Sequence, residues 1–422
     1  MNDYKLLVSN KNFLKLWTSQ ILSQVTISIM NFTLLIRLFT LTGSSIATSL
    51  LWVAYSIPAI LIGPFASATV DLTSRRRMLI VTNFLQALTI FLYAFLHQTT
   101  LFLLYGVAFT YSLLDQFYVP AESASLPSLV RKNQLPHANA LFLLTQQSSL
   151  VIGFGTAGFL NQLLGFDNTL FLGALFLFLA FVSVTFLPEL KAREVLPSGF
   201  EQASEKFFEK LFGGYHFLKE HKNVLLPFLM LVGVQISSTI VVVNVPILAR
   251  DIFKININAG GILIVVPAAI GAIIGAFLVS RLLKKGWRKK RAIETFLGSI
   301  VASILLLIFV VPEVPTNIRL ILGPVLILFA ALSFVGVVIP SQTYLQETTP
   351  GGLRGRVFGN FWFIVTVATI VPVIFSGTIT EIFGVKLVMF ILAGVAATAL
   401  FISTKFGESF INNNFEFKLK EE

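Results

Sequence analysis

Long apolar runs separated by short polar turns fill almost the whole chain. Runs of about 20 apolar residues match the length of a helix that crosses a bilayer. About twelve can be placed: 13–40, 45–70, 78–96, 101–121, 138–164 and 169–187 in the first half, and 224–249, 260–283, 292–311, 318–341, 357–382 and 387–403 in the second. The first run exceeds the core of a signal peptide and no small-residue cleavage pattern follows it, so it is expected to be retained. The punctuation repeats between the halves. A basic turn follows the second run of each half, at 75–77 and 284–291, and a proline, Pro120 or Pro340, is predicted to end the fourth. Two six-helix halves are therefore expected, 1–188 and 223–404, with a cytoplasmic linker at 189–222 and a tail at 405–422. Within the linker, Phe207, Phe208, Leu211 and Phe212 interleave with Glu205, Lys206, Glu209 and Lys210, which predicts an amphipathic helix lying on the inner membrane surface. The linker is shorter than the roughly 40 residues an independent soluble fold needs.

Composition agrees with that pattern. With 55% hydrophobic and 12% charged residues and a mean hydropathy of +0.84, the chain is expected to be an all-α polytopic membrane protein surrounded by membrane lipid. Its net charge of +11 follows from the positive-inside rule and calls for no nucleic acid. The turns holding Arg75 to Arg77, Arg131 with Lys132, the linker, 284–291, and Arg354 with Arg356 alternate with turns poor in basic residues. That assigns the basic set to the cytoplasm, together with both termini, in a multi-pass protein of the plasma membrane. Cysteine is absent, which removes disulfides, thiolate metal sites and cysteine nucleophiles. His97, His137, His216 and His221 show no ligand spacing, so no metal is expected. No Gly-x-x-x-x-Gly-Lys-Ser/Thr loop and no serine–histidine–acid constellation occurs. Neither ATP hydrolysis nor another enzymatic activity is expected, and no cofactor.

Polar residues inside the runs are the candidates for function, because each is costly in lipid. Gln20, Gln24, Ser28 and Asn31 fall at i, i+4, i+8 and i+11, one face of the first helix. Such a stripe lines a wet cavity or hydrogen-bonds a neighbouring helix. In the fourth run Tyr105, Ser112, Asp115 and Gln116 share a face; Gln146 and Gln147 add polarity to the fifth, and Gln235, Ser238 and Thr239 to the seventh. Asp115 is the intramembrane carboxylate best placed to carry a proton or bind a cationic substrate, the alternative being a structural hydrogen-bonder. Arg37 is expected near the end remote from the basic turns, snorkelling or gating. Glu122 and Glu347, just past the two prolines, are expected in solvated loops or gate contacts.

The turn after the second run carries a further signal. Gly63-Pro64-Phe65-Ala66-Ser67-Ala68-Thr69-Val70-Asp71-Leu72-Thr73-Ser74-Arg75-Arg76-Arg77 resembles the loop signature of the major facilitator superfamily, in the form seen in its macrolide-efflux and siderophore-exporter branch. Pro120-Ala121 with Leu126-Pro127 and Ala138-Asn139-Ala140 resembles that branch's fourth loop, and Leu345-Gln346-Glu347 with Leu353-Arg354-Gly355-Arg356-Val357-Phe358 its tenth. The likeness departs from the signature at Ser67, Leu72 and Ser74, and Phe154 stands where drug antiporters of the superfamily usually place a proline.

The resemblance implies a secondary transporter that rocks two halves about a central site lined by the first, fourth, seventh and tenth runs. It implies export of a small amphipathic, macrolide-like compound or drug in exchange for protons. Siderophore export, lysophospholipid flipping and nutrient uptake are alternatives within transport; a sensor or scaffold without flux is the alternative outside it. The gate motif would comprise Gly63, Ser67, Asp71, Arg75 and Arg76, with Asp71 capping the start of the eleventh helix near Val357 and the arginines holding adjoining loops. A monomer is expected for such a pseudo-symmetric chain.

Overall fold

The computed structural model describes residues 2–98, 100–190, 222–349 and 351–411. The expected amphipathic helix at 201–212 and the tail beyond 411 lie outside them. The described residues form helices α1 (Asn2–Ser9), α2 (Lys11–Thr42), α3 (Ser45–Leu61), α4 (Gly63–Leu72), α5 (Arg75–Leu96), α6 (Phe102–Leu129), α7 (Leu135–Leu164) and α8 (Phe166–Thr185). They continue as α9 (Lys222–Val243), α10 (Val266–Lys284), α11 (Lys289–Phe309), α12 (Thr316–Thr348), α13 (Gly351–Phe383) and α14 (Val385–Ile411).

Among the described residues nine helices are long and apolar enough to cross a membrane singly, and Phe228–Val243 with Val245–Ile252, bent by 54°, passes the same test as a pair, making ten if the two are one broken span. The second predicted run is broken at Ile62 into α3 and α4, beside Pro58 and the Gly63-Pro64 pair that opens the second piece. The fourth is α6, whose 28 residues include Asp115, Glu122, Pro120 and Pro127. Each of the twelve predicted runs therefore corresponds to a helix or a broken helix.

One boundary expectation is overturned. Pro120 and Pro340 do not end their helices: α6 runs on to Leu129 and α12 to Thr348. A proline inside a helix loses one hydrogen bond and crowds the carbonyl four residues back. In a membrane bundle neighbouring groups relieve that loss, so prolines are tolerated there.

α5 shows how the sequence sorts its faces. Phe84, Leu85, Leu88, Phe91, Leu92 and Phe95 are exposed, whereas Asn83 and Gln86 are 0% exposed. Polar groups turn into the bundle and greasy ones outward, the reverse of a water-soluble helix, because lipid cannot satisfy a hydrogen bond. Helix association in lipid then depends on close packing and polar contacts rather than on the hydrophobic effect.

The chain divides into two compact units. The first holds residues up to 190 together with Ile240–Val266 and Thr366–Ile382. Here α2 packs on α7 and α8, α5 on α8 and α6, and α3 and α4 on α6. Gly153 of α7 faces Ser28 so closely that any Cβ would collide with that side chain. A core of Phe13, Leu16, Leu79, Tyr118, Leu126 and Val184 fills the end near the basic turns. The second unit holds the remaining described residues. In it α11 packs on α12 and α14, and Gly271 and Gly275, four apart on α10, let that helix rest on the backbone of Leu328 and Leu332.

Candidate functional site

The polar side chains of the first unit converge on α6. α2 contributes Ser19 and Ser23, one turn apart, α5 contributes Asn83, and α6 contributes Tyr111, Asp115, Tyr118 and Glu122. Ser23 Oγ donates to Asn83 Oδ1 at 3.3 Å, and Asn83 Nδ2 donates to Ser19 Oγ at 3.2 Å. Ser19 Oγ lies 3.4 Å from the Tyr118 hydroxyl, which donates to Glu122 Oε1 at 2.9 Å. With its only proton directed at Glu122, Tyr118 accepts from Ser19. The bonds between these side chains thus all point one way, toward the carboxylate, while Asn83 Nδ2 also donates to the Leu79 carbonyl at 3.0 Å. The amide of Asn83 interrupts any O–H wire, so the chain orients Tyr118 on Glu122 rather than conducting protons.

Glu122 is 4% exposed and lies inside α6. This corrects its expected place in a solvated loop, and follows from the helix running through Pro120. Asp115, seven residues before it, is half-buried. Tyr55 and Tyr111 are its electrostatic neighbours, and Asp115 and Glu122 feel each other's charge. The ion pairs found among the described residues are His97–Asp167, Arg250–Asp251, Lys289–Glu347 and Lys290–Glu294. Neither carboxylate of α6 takes part in one.

At the other end of this polar path lies a narrow cavity, with about 20 Å³ free to a water molecule, room for about one. It is lined by Asn31 and Leu34 of α2, Thr48, Trp52 and Tyr55 of α3, and Phe154 of α7, among others. Asn31 also faces the Tyr55 side chain. Polar side chains thus line up from Asn31 and Tyr55, past Asp115 and Tyr111, to Ser23, from which hydrogen bonds lead to Glu122.

The α2 stripe divides between its two readings. Gln20 is 4% exposed and donates to the carbonyl of Phe142 on α7 at 3.2 Å, and Ser28 packs on Gly153. Both serve helix contact. Gln24 is half-buried, and its carbonyl accepts from Ser28. Asn31 alone of the four lines the cavity. On α6, Tyr105 donates to Ala47 O at 3.2 Å and Ser112, fully buried, to Tyr55 O at 2.6 Å. These two hydrogen bonds tie α6 to α3. Gln116 donates to Ser112 O, and its Oε1 closes on Gly63 of α4. Gln146 is exposed on α7. Gln235 and Ser238 are half-buried in the second unit.

Of the gate motif, Gly63 opens α4, and Ser67 and Asp71 follow in it; the side chains of those two, and of 351–360, lie outside the described residues. Arg75 is 8% exposed and reaches Ser128 at the end of α6, while Arg76 donates to the carbonyl of Thr185 at the end of α8. Arg37 stacks on Phe166, its guanidinium carbon 4.8 Å from the ring centroid, a geometry that favours a cation.

Sequence reasoning missed Ser19, Ser23, Asn83, Tyr111 and Tyr118. Their signal was present: Ser19 and Ser23 adjoin the glutamine stripe, and Tyr111 and Tyr118 bracket Asp115 at helical spacing.

The model of the Major Facilitator Superfamily matches residues 16–372. The chain belongs to that superfamily. It is accordingly an integral membrane protein and a secondary transporter. It is 24% identical over 375 residues to a protein of Bacillus subtilis (strain 168) named uncharacterized MFS-type transporter YfiS, covering 88% of this chain and 86% of that one. It is 23% identical over 260 residues to macrolide efflux protein A of Streptococcus pyogenes, covering 60% of this chain and 61% of that one. Its fold is shared with the crystal structure of the nucleoside transporter NupG, at a TM-score of 0.71 and 14% identity over 93% of this chain and 98% of the other.

Proposed function

We propose that this transporter exports amphipathic compounds from the cell by proton antiport, through alternating access, in the plasma membrane with both termini in the cytoplasm. The observation that carries the reading is the pair of acidic side chains on α6. Asp115 and Glu122 have no cationic partner among the described ion pairs; Asp115 neighbours Tyr55, which lines the cavity with Asn31, and Glu122 is held by the Tyr118 hydroxyl. A carboxyl group whose surroundings alternate between wet and dry is the simplest carrier of a proton through a membrane protein. Asp115, half-buried, would take and release the proton, and Glu122 would hold the inner end of the path. The relationship to a protein named for macrolide efflux supports the amphipathic substrate class.

The test is efflux of a panel of dyes and macrolides from proteoliposomes, with and without an imposed proton gradient. The gradient should drive efflux in the native protein, and Asp115→Asn should abolish that acceleration while leaving downhill flux. Efflux indifferent to the gradient would remove Asp115 as the coupling site. No efflux of any compound in the panel would overturn the substrate class.

A further inference from the structure

Away from the basic turns, the first unit closes on itself through segments drawn from the second half of the chain. Glu381, in the last turn of α13, accepts at Oε2 from Ser44 Oγ at 2.6 Å and from the Ile46 N–H at 3.0 Å. The Ser45 backbone N–H faces it as well. These are groups at the start of α3, a helix of 17 residues, where unpaired amides and the helix dipole attract an anion. Ser44 is itself the cap of α3: its hydroxyl accepts from the Ala47 N–H at 3.2 Å while donating to Glu381. Glu381 therefore completes the cap of a helix more than three hundred residues earlier in the chain. Its partners are amides and a hydroxyl, and none of the ion pairs found among the described residues includes it.

The neighbouring side chains of α13 make the same contact from a second side. One turn before Glu381, a Cβ on Gly377 would collide with Ser49 Oγ and stand 2.7 Å from the Ser45 carbonyl, so the α13 backbone rests directly on α3. Thr380 Oγ1 donates to Asn244 Oδ1 at 3.0 Å, and Asn244 Nδ2 reaches Ser376 Oγ at 3.5 Å. Asn244 is 1% exposed and stands at the break between Phe228–Val243 and Val245–Ile252, where the chain bends by 54°. The last turns of α13 thus grip the start of α3 through Glu381 and the bend after α9 through Thr380 and Ser376. Lipid gives no reason for an acid at that position. The cap does.

We propose that Glu381 is the latch of the gate at the end remote from the basic turns: its carboxylate on the first turn of α3 holds that end closed and is released when the end opens. The inference rests on alternating access and on nothing about substrate or protons. A structural cap and a latch differ in one respect: a latch sets the population of open molecules.

Because the chain has no cysteine, spin labels at Leu41→Cys and Ile382→Cys, both exposed positions, report the opening of this end without background. Distances are measured by pulsed electron resonance in lipid nanodiscs, without substrate. Glu381→Gln should raise the long-distance population roughly three- to tenfold, the scale of losing a charged helix cap. Ser44→Ala should do likewise, and the double variant should add little to either single one, as expected of two groups in one interaction. An unchanged distribution in Glu381→Gln, or a double variant whose effect is the sum of both, overturns the latch. Glu381 is exposed, so its isosteric replacement leaves folding intact. With no substrate in the measurement, failure of the export reading and failure of the latch are separately visible.

Discussion

At the scale of single residues, the side chain that organises the site is Tyr118, a fully buried tyrosine with hydrogen-bond partners on two sides. Its hydroxyl gives Glu122 the one hydrogen bond found for that carboxylate among the described contacts. Tyr118→Phe should cost about 1–3 kcal/mol, the scale of leaving a buried acceptor unsatisfied, read as a lower thermal unfolding midpoint in detergent. Glu122→Gln keeps an acceptor for the hydroxyl and removes the charge. It should unfold within about 1 kcal/mol of the native protein, yet lose acceleration of efflux by a proton gradient. Equal coupling in the native protein and in Glu122→Gln would confine Glu122 to a structural part. The sequence marks Asp115 at once, because an acid in an apolar run is conspicuous. Glu122 is hidden by Pro120, which reads as a helix end and is in fact an interior residue.

At the scale of elements, close helix approach is written in glycines, and their consequences differ with what lies opposite. On α10, Gly271 and Gly275 face the backbone of Leu328 and Leu332, which cannot swing aside. Gly271→Leu should therefore force α10 and α12 apart, destabilising by about 1–3 kcal/mol or more, measured by thermal unfolding or protease resistance in detergent. Gly394 on α14 has no atom within 4 Å of where a Cβ would stand. Gly394→Ala should be neutral or stabilising by about 0.4–1 kcal/mol, through reduced freedom of the unfolded chain. Both residues look alike in sequence, small members of an apolar run. Only the packing separates them.

At the scale of the whole molecule, orientation rests on Arg75 to Arg77 and on the basic residues at 284–291. A reporter active only in the cytoplasm should work when fused after residue 411 or placed in the turn after α10, and fail when placed at Gly43, between α2 and α3. The opposite pattern would reverse every assignment of inner and outer ends made under the proposed function. Glu381, seated on the start of α3, belongs to the end that this test assigns to the outside.

The sequence by itself determined the membrane class, the positions of the runs, the basic turns and the family signature. Each depends on local composition: about 20 apolar residues make a span in any context, and arginines mark a side wherever they stand. It also marked Asp115, since an intramembrane charge is informative alone. Tertiary structure decided the rest. It sent Gln20 and Ser28 to helix contact and Asn31 to a cavity, though all three share one face of α2. It joined Ser23, Asn83, Ser19, Tyr118 and Glu122 from three helices into one directed chain, and set Glu381 on a helix start remote in sequence. A hydrogen bond exists only where two groups meet at about 3 Å, and which distant groups meet is fixed by the packing of helices, not by the order of residues along any one of them.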